Sequence, residues 1–169
     1  MRSLRFVVGF LVVLGSLGLA ASGWTAEEGL TDTEIIIGSH QDLSGPIAGW
    51  GIMVKNGMEM RAREINEAGG IHGRKITIIF EDNKYDPKTA IMVTNKLIER
   101  DKVFAFVGNM GSPTAGATLP LITEKKIPHL APLTAATMFY EPFNRYSYQA
   151  WLPYYSQARN LIKYFVEEK

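Results

Sequence analysis

Short β-branched or aromatic runs alternate along this chain with stretches in which apolar residues recur every three or four positions. Glu34–Ser39 (EIIIGS) is too short for a helix and too continuously apolar for a half-exposed strand, so it predicts a buried strand. After the turn Leu43-Ser44-Gly45-Pro46, the stretch Gly51–Ala68 places Val54, Met58, Ala62 and Ile65 on one face of an amphipathic helix. That helix is predicted to end at Gly69-Gly70, where a left-handed cap disfavours a Cβ. Lys75–Glu81 (KITIIFE) is the second strand. Asp86-Pro87 then opens a helix through Ile91, Val93, Leu97 and Ile98, because Asp accepts free first-turn N–H groups and Pro suits the first helical position. Val103–Val107 (VFAFV) is the third strand, and Ser112-Pro113 repeats the Asp-Pro arrangement at the head of a helix through Leu119 and Ile122 to Lys125. Ile127–Ala131 predicts a fourth strand and Tyr146–Ala150 a fifth. Pro153–Glu168 predicts a last helix with Ala158, Leu161, Ile162 and Phe165 on one face.

This alternation predicts an α/β fold, a parallel sheet with helices on both faces. Such sheets bind ligands at the carboxyl ends of their strands. Function is therefore sought after strands one, three and four, in Gln41–Trp50, Gly108–Thr114 and Pro132–Tyr140.

The front of the chain has a different character. Arg2 and Arg5 precede an uncharged apolar run, Phe6–Ala21, and the small residues Ser22 and Gly23 follow it, which is the plan of a secretory signal peptide over residues 1–23. A retained membrane anchor is the competing reading, but a spanning helix needs about 20 apolar residues and this run has 16. Removing 23 residues from 169 leaves 146, and 16 basic residues then face 17 acidic ones, a net charge of −1. Without a concentrated basic surface there is no reason to expect a nucleic-acid partner. The absence of cysteine removes disulfides, thiolate metal sites, a cysteine nucleophile and a lipid-anchoring cysteine, so export predicts a soluble periplasmic protein.

Motifs for chemistry are sparse. The loop Ser44-Gly45-Pro46 does not match a dinucleotide fingerprint, no Gly-Lys-Ser/Thr occurs, and His40, His72 and His129 lack metal-ligand spacing. Neither a cofactor nor a metal is expected. His129 reads as a packed strand-end histidine, and Asp42 has no evident catalytic partner, so the chain is not read as an enzyme. The best chemical candidate is Ser112, predicted at a helix N-terminus whose free N–H groups and dipole suit a carboxylate. The plain alternative is that Ser112 only caps its own helix. Asp86, at the equivalent cap after strand two, would repel an anion and reads as structural. Trp50 either walls an apolar pocket or anchors the core.

The runs IIIGSHQDLSGPIAGWG, EINEAGGIHGRKITIIFEDNKYDPKTA and FVGNMGSPTAGATLPLITEKKIPHLAP together resemble the periplasmic leucine/isoleucine/valine-binding protein family, substrate-binding subunits of branched-chain amino-acid-type ABC importers. The resemblance implies a type I periplasmic-binding-protein lobe at 24–150, with 151–169 as the first helix of a second lobe that is largely missing. It implies a small-molecule ligand, an amino acid or related carboxylate, and a membrane permease of an ABC transporter as partner. Family ligands set their carboxylate and amino groups against the loops after strands three and four of the first lobe. The matching positions are Met110, Gly111 and Ser112, then Leu133, Thr134 and Ala135, with the family's aromatic beside the first helix falling on Trp50. Ala135 stands where the family often has a threonine hydroxyl, with Thr134 or Thr137 as substitutes, and this departure, with Met138-Phe139-Tyr140 following, leaves room for a more apolar or aromatic carboxylate than a simple amino acid. The alternative to solute uptake is a transport-inactive fragment, or a sensing lobe acting through protein contacts, suggested by the apolar face of the last helix.

Overall fold

The computed structural model describes residues 27–167. The predicted export segment, residues 1–23, lies outside the described residues. Five strands, β1 (Glu34–Gln41), β2 (Lys75–Asp82), β3 (Ala105–Val107), β4 (His129–Leu130) and β5 (Ser147–Tyr148), form one parallel sheet in the order β2-β1-β3-β4-β5. The helices are α1 (Ala48–Glu67), α2 (Pro87–Glu99), α3 (Ser112–Glu124) and α4 (Tyr154–Glu167), with one 3-10 turn at Thr137–Phe139.

The direction of the chain changes once. From β1 it steps outward to β2, then back across β1 to β3, β4 and β5. Right-handed crossovers therefore place α1 on one face and α2 with α3 on the other. The predicted inward side of α1 is the covered one: Ala62 is buried and Val54, Met58 and Ile65 are half-buried. Its end is closed as the sequence predicts, with the N–H of Gly70 donating to the Ile65 carbonyl at 2.8 Å and that of Gly69 to Asn66 at 3.2 Å. On the other face, Leu97 and Ile98 of α2, Ile122 of α3, Val103 and Phe106 form the buried core, with Ile36, Ile79, Leu121 and Ile127 packed against it.

The strands differ from expectation mainly in length. β1 runs on to Gln41 because each of its residues finds a partner in β2, up to Gln41 opposite Asp82. The fourth and fifth strands shrink to two residues each, held by His129 N–H to Tyr146 (2.7 Å) and Ala131 N–H to Tyr148 (2.7 Å). The order reverses between β1 and β3, so the loops leaving them part and open a crevice at the carboxyl edge.

Candidate functional site

The carboxyl ends of the strands carry an unusual load of buried polar side chains: His40, Gln41, Asp42, Asn83 and Asn109 are all fully covered. They form a lattice that fixes the loops above. The N–H of His40 donates to Asn109 Oδ1 (3.1 Å), and the N–H of Met110 returns to the His40 carbonyl (3.0 Å). Asn83 is the hub: its amide group donates to His40 Nδ1 (2.8 Å) and to the Met110 carbonyl (3.3 Å), while its oxygen accepts from the N–H of Tyr85 (2.8 Å). Thr118 Oγ1 gives its proton to the Ala115 carbonyl (3.0 Å), so it accepts from His40 Nε2 (3.3 Å), and His40 is the neutral tautomer protonated on Nε2.

Burial, reinforced by nearby His129, holds the His40 pKa down at about 3, against an ordinary 6.5. Burial alone lowers His129 to about 4. As predicted, His129 is a packed strand-end residue; it meets Phe139 edge to face at 5.9 Å. The folded protein refuses protons that the unfolded chain accepts once the pH drops below 6.5. Stability is therefore full above that value and falls as the pH moves toward 4. Roughly 1–2 kcal/mol should be lost per pH unit per histidine. Urea unfolding across the upper part of that window, before carboxylates titrate, should show the slope, and His129→Leu should remove about half of it. A flat profile in both proteins would refute the neutral buried pair.

Asp42 is accounted for structurally. Its two oxygens accept from the N–H groups of Gly45 (2.5 Å) and Ile47 (2.7 Å), tying the loop that leads into α1. Asp86 caps α2 as expected, accepting from Thr89 N–H at 2.7 Å with Pro87 at the head of the helix.

Ser112 corrects the expectation placed on it. The cap residue of α3 is Gly111 (φ 96°), and Ser112 is the first helical residue. The Ser112 hydroxyl turns instead to Thr134 Oγ1 at 2.7 Å. Gly111 is held to the sheet edge by its N–H to the Leu133 carbonyl (3.3 Å), beside the bridge between Met110 and Leu133, and this makes it the non-helical residue. The first α3 N–H to find an intrahelical acceptor is that of Ala115, at the Gly111 carbonyl (2.8 Å). Among the described residues nothing accepts the N–H of Ser112 or Thr114, so donors remain at this helix end.

Trp50, Met110, Gly111, Ser112, Leu133, Thr134 and Ala135 come together around one cleft of about 500 Å³. Trp50 is 68% exposed and stands at its rim, so the core-anchor alternative is excluded. Thr137 does not line the cleft. Sequence reasoning missed Ile47, Val54, Tyr85, Trp151, Tyr154 and Gln157 on its wall. Tyr85 follows β2, and the rule that ligands gather at strand carboxyl ends applied equally there. Its ring lies against Gly111, where a Cβ would come within 2.6 Å of it. The 151–157 segment is docked by Tyr154 N–H to the Ala135 carbonyl (2.9 Å) and by the Tyr140 hydroxyl to the Trp151 carbonyl.

The cleft thus lies at the topological switch point of a doubly wound parallel sheet, the place where open α/β folds hold their ligands. The chain belongs to the periplasmic binding protein family, whose sequence model matches residues 34–169; this is a substrate-binding class and not an enzyme class. It is 31% identical over 124 residues to the Leu/Ile/Val-binding protein homolog 2 of Brucella abortus (strain 2308), covering 73% of this chain and 33% of the relative. The structure is similar to the branched-chain amino acid transporter substrate binding protein of Streptococcus pneumoniae in complex with isoleucine. There the TM-score is 0.72 at 28% identity, covering 80% of this chain and 38% of that one. It is also similar to a fatty acid ABC transporter substrate-binding protein from Thermomonospora curvata, with TM-score 0.74, 25% identity, and 88% and 37% of the two chains covered. The chain thus spans about a third of the length of the curated relative, 33%. Among the described residues, no helix is long and apolar enough to cross a membrane.

Proposed function

We propose that this chain supplies the first ligand-binding lobe of a periplasmic solute-binding protein that serves an ABC importer, with residues 24–150 as the lobe and 151–169 leading toward a second. The solute is a small molecule with a carboxylate and an apolar body, a branched-chain or related amino acid or a small apolar acid, handed on to a membrane permease. The observation that carries this reading is the meeting, in one cleft, of Ser112 at the head of α3, with its unused N–H and its hydroxyl paired to Thr134, and an apolar wall built by Trp50, Val54 and Met110. The Leu/Ile/Val-binding and amino-acid-binding relatives support the same choice.

The test is titration of a panel of small amino acids and carboxylic acids into the purified protein, followed by calorimetry and thermal shift. Saturable binding is expected in the wild type and its loss in Ser112→Asp. An aspartate at a helix N-terminus favours the helix dipole, so the variant keeps its fold while placing a negative charge against the solute carboxylate. No saturable response to any acid, or equal binding by the variant, would refute the reading.

A further inference from the structure

β2 is an outer strand of the sheet, and an outer strand offers a row of unpaired N–H and C=O groups to any other chain. At its two ends, the N–H groups of Lys75 and Asn83 donate inward, to the carbonyls of Thr33 (2.8 Å) and Gln41 (2.8 Å). With a strand period of two, the backbone groups of Ile76, Ile78, Phe80 and Asp82 therefore point outward. Helix α1 leaves an open groove along this edge, lined by Ala62, Asn66, Ile76 and Ile78. Among the described residues, nothing hydrogen-bonds the backbone of Ile78 or Phe80 on that side. Ile76 differs. Asn66, in the last turn of α1, donates its amide group to the Ile76 carbonyl (2.8 Å) and accepts the Ile76 N–H on its oxygen (2.7 Å). One side chain thus makes both of the bonds that a residue of an antiparallel strand would make there.

The strand is complementary to itself. It begins with Lys75, ends with Glu81 and Asp82, and is uncharged between them. An antiparallel second copy would set each Lys75 near Glu81 of the second copy, a favourable cross-strand pairing of charges. Outward residues must face outward residues, and the register that uses all four is centred on Ile79. It pairs Ile78 with Phe80 twice and Ile76 with Asp82 twice. Because Asn66 occupies Ile76 in both copies, a two-fold pairing loses both of its outer rungs, and the carboxamide stands in the path of the second strand. Two residues per copy remain, far less than a stable interface needs.

We propose that Asn66 is an edge guard that keeps two copies of this chain from joining β2 to β2. The inference concerns the far end of β2 from the cleft and does not depend on the solute.

Asn66→Ala frees the backbone groups of Ile76. In sedimentation velocity across a concentration series, its association constant should exceed that of the wild type about tenfold or more. Adding Ile78→Pro should return the variant to the wild-type level, since the N–H removed points outward and no bond to β1 is lost. Circular dichroism checks the fold of each protein, and association through the exposed face of α4 is common to all three and cancels in the comparison. Amide exchange in the wild type needs no variant: the Ile76 N–H should be protected about tenfold or more over those of Ile78 and Phe80. A folded Asn66→Ala protein that associates no more than the wild type, or association that survives the proline, overturns the guard. Exchange of the Ile76 N–H as fast as that of Ile78 overturns it even if neither variant folds.

Discussion

Replacing Gly51 by alanine is expected to destabilise the protein by about 2 kcal/mol or more, while the same change at Gly57 in the same helix should stabilise it by up to about 1 kcal/mol. A helical Gly→Ala change normally gains stability because alanine loses less backbone freedom on folding. At Gly57 nothing lies within 4 Å of the added carbon, so that gain is expected in full. At Gly51 the new Cβ would sit 1.9 Å from the Asp42 carbonyl oxygen and 2.8 Å from its carbon. Both atoms are backbone, and neither can swing away as a side-chain tip would. Asp42 is itself pinned by the N–H groups of Gly45 and Ile47. The first turn of α1 must therefore back off from the end of β1, taking Trp50 with it. Denaturant midpoints of the two variants measured side by side provide the check; a pair that moves in the same direction would contradict the close approach.

Replacing Asn83 by leucine should cost about 3 kcal/mol or more. The side chain is fully buried, and leucine has the same branching and heavy-atom count but is bulkier, so the loss comes from the polar groups left behind and from crowding rather than from a cavity. His40 Nδ1 loses its donor, and the N–H of Tyr85 loses its acceptor. The Met110 carbonyl keeps only the Thr114 hydroxyl. Because Tyr85 and Met110 are both wall residues of the cleft, solute affinity should fall together with stability. Asn83→Asp sharpens the assignment: an acceptor facing His40 Nδ1 draws the proton to that nitrogen, and the imidazole nitrogen shifts in NMR report the exchange. An unchanged tautomer in that variant would contradict the hydrogen-bond directions drawn around His40.

The strand–helix alternation was legible because each element obeys one period. The β-branched runs are too short for helices, and α1 and α2 carry their inward residues at helical spacing. The site was legible to the extent that it follows from strand ends. Met110, Gly111 and Ser112 leave β3, Leu133, Thr134 and Ala135 leave β4, and these positions meet because β3 and β4 are neighbours. The strand-end rule also covered Tyr85 after β2, but strand order is not written in local periodicity, so nothing local showed that this edge strand brings its loop to the same cleft. The misplacement of the α3 cap has a related cause. Gly-Ser-Pro and Asp-Pro look alike in sequence, but pairing of the Met110–Gly111 segment with Leu133 makes the glycine the last sheet-bound residue. The 151–157 wall depends on where β5 delivers the chain, a tertiary fact with no local signature.

The two sides of the cleft differ in what anchors them. Met110 and Gly111 sit on the buried polar lattice at the centre of the sheet. Trp151 and Tyr154 hang from β5, two residues joined to β4 by two ladder N–H groups, and from a helix that buries none of its residues. Local opening should follow that gradient, with amide exchange fastest beyond β5 and slowest along β1. A solute that touches both sides must order the weak one, so part of its binding free energy is spent as lost conformational entropy. Affinity can then be tuned by substitutions in α4 that never touch the solute.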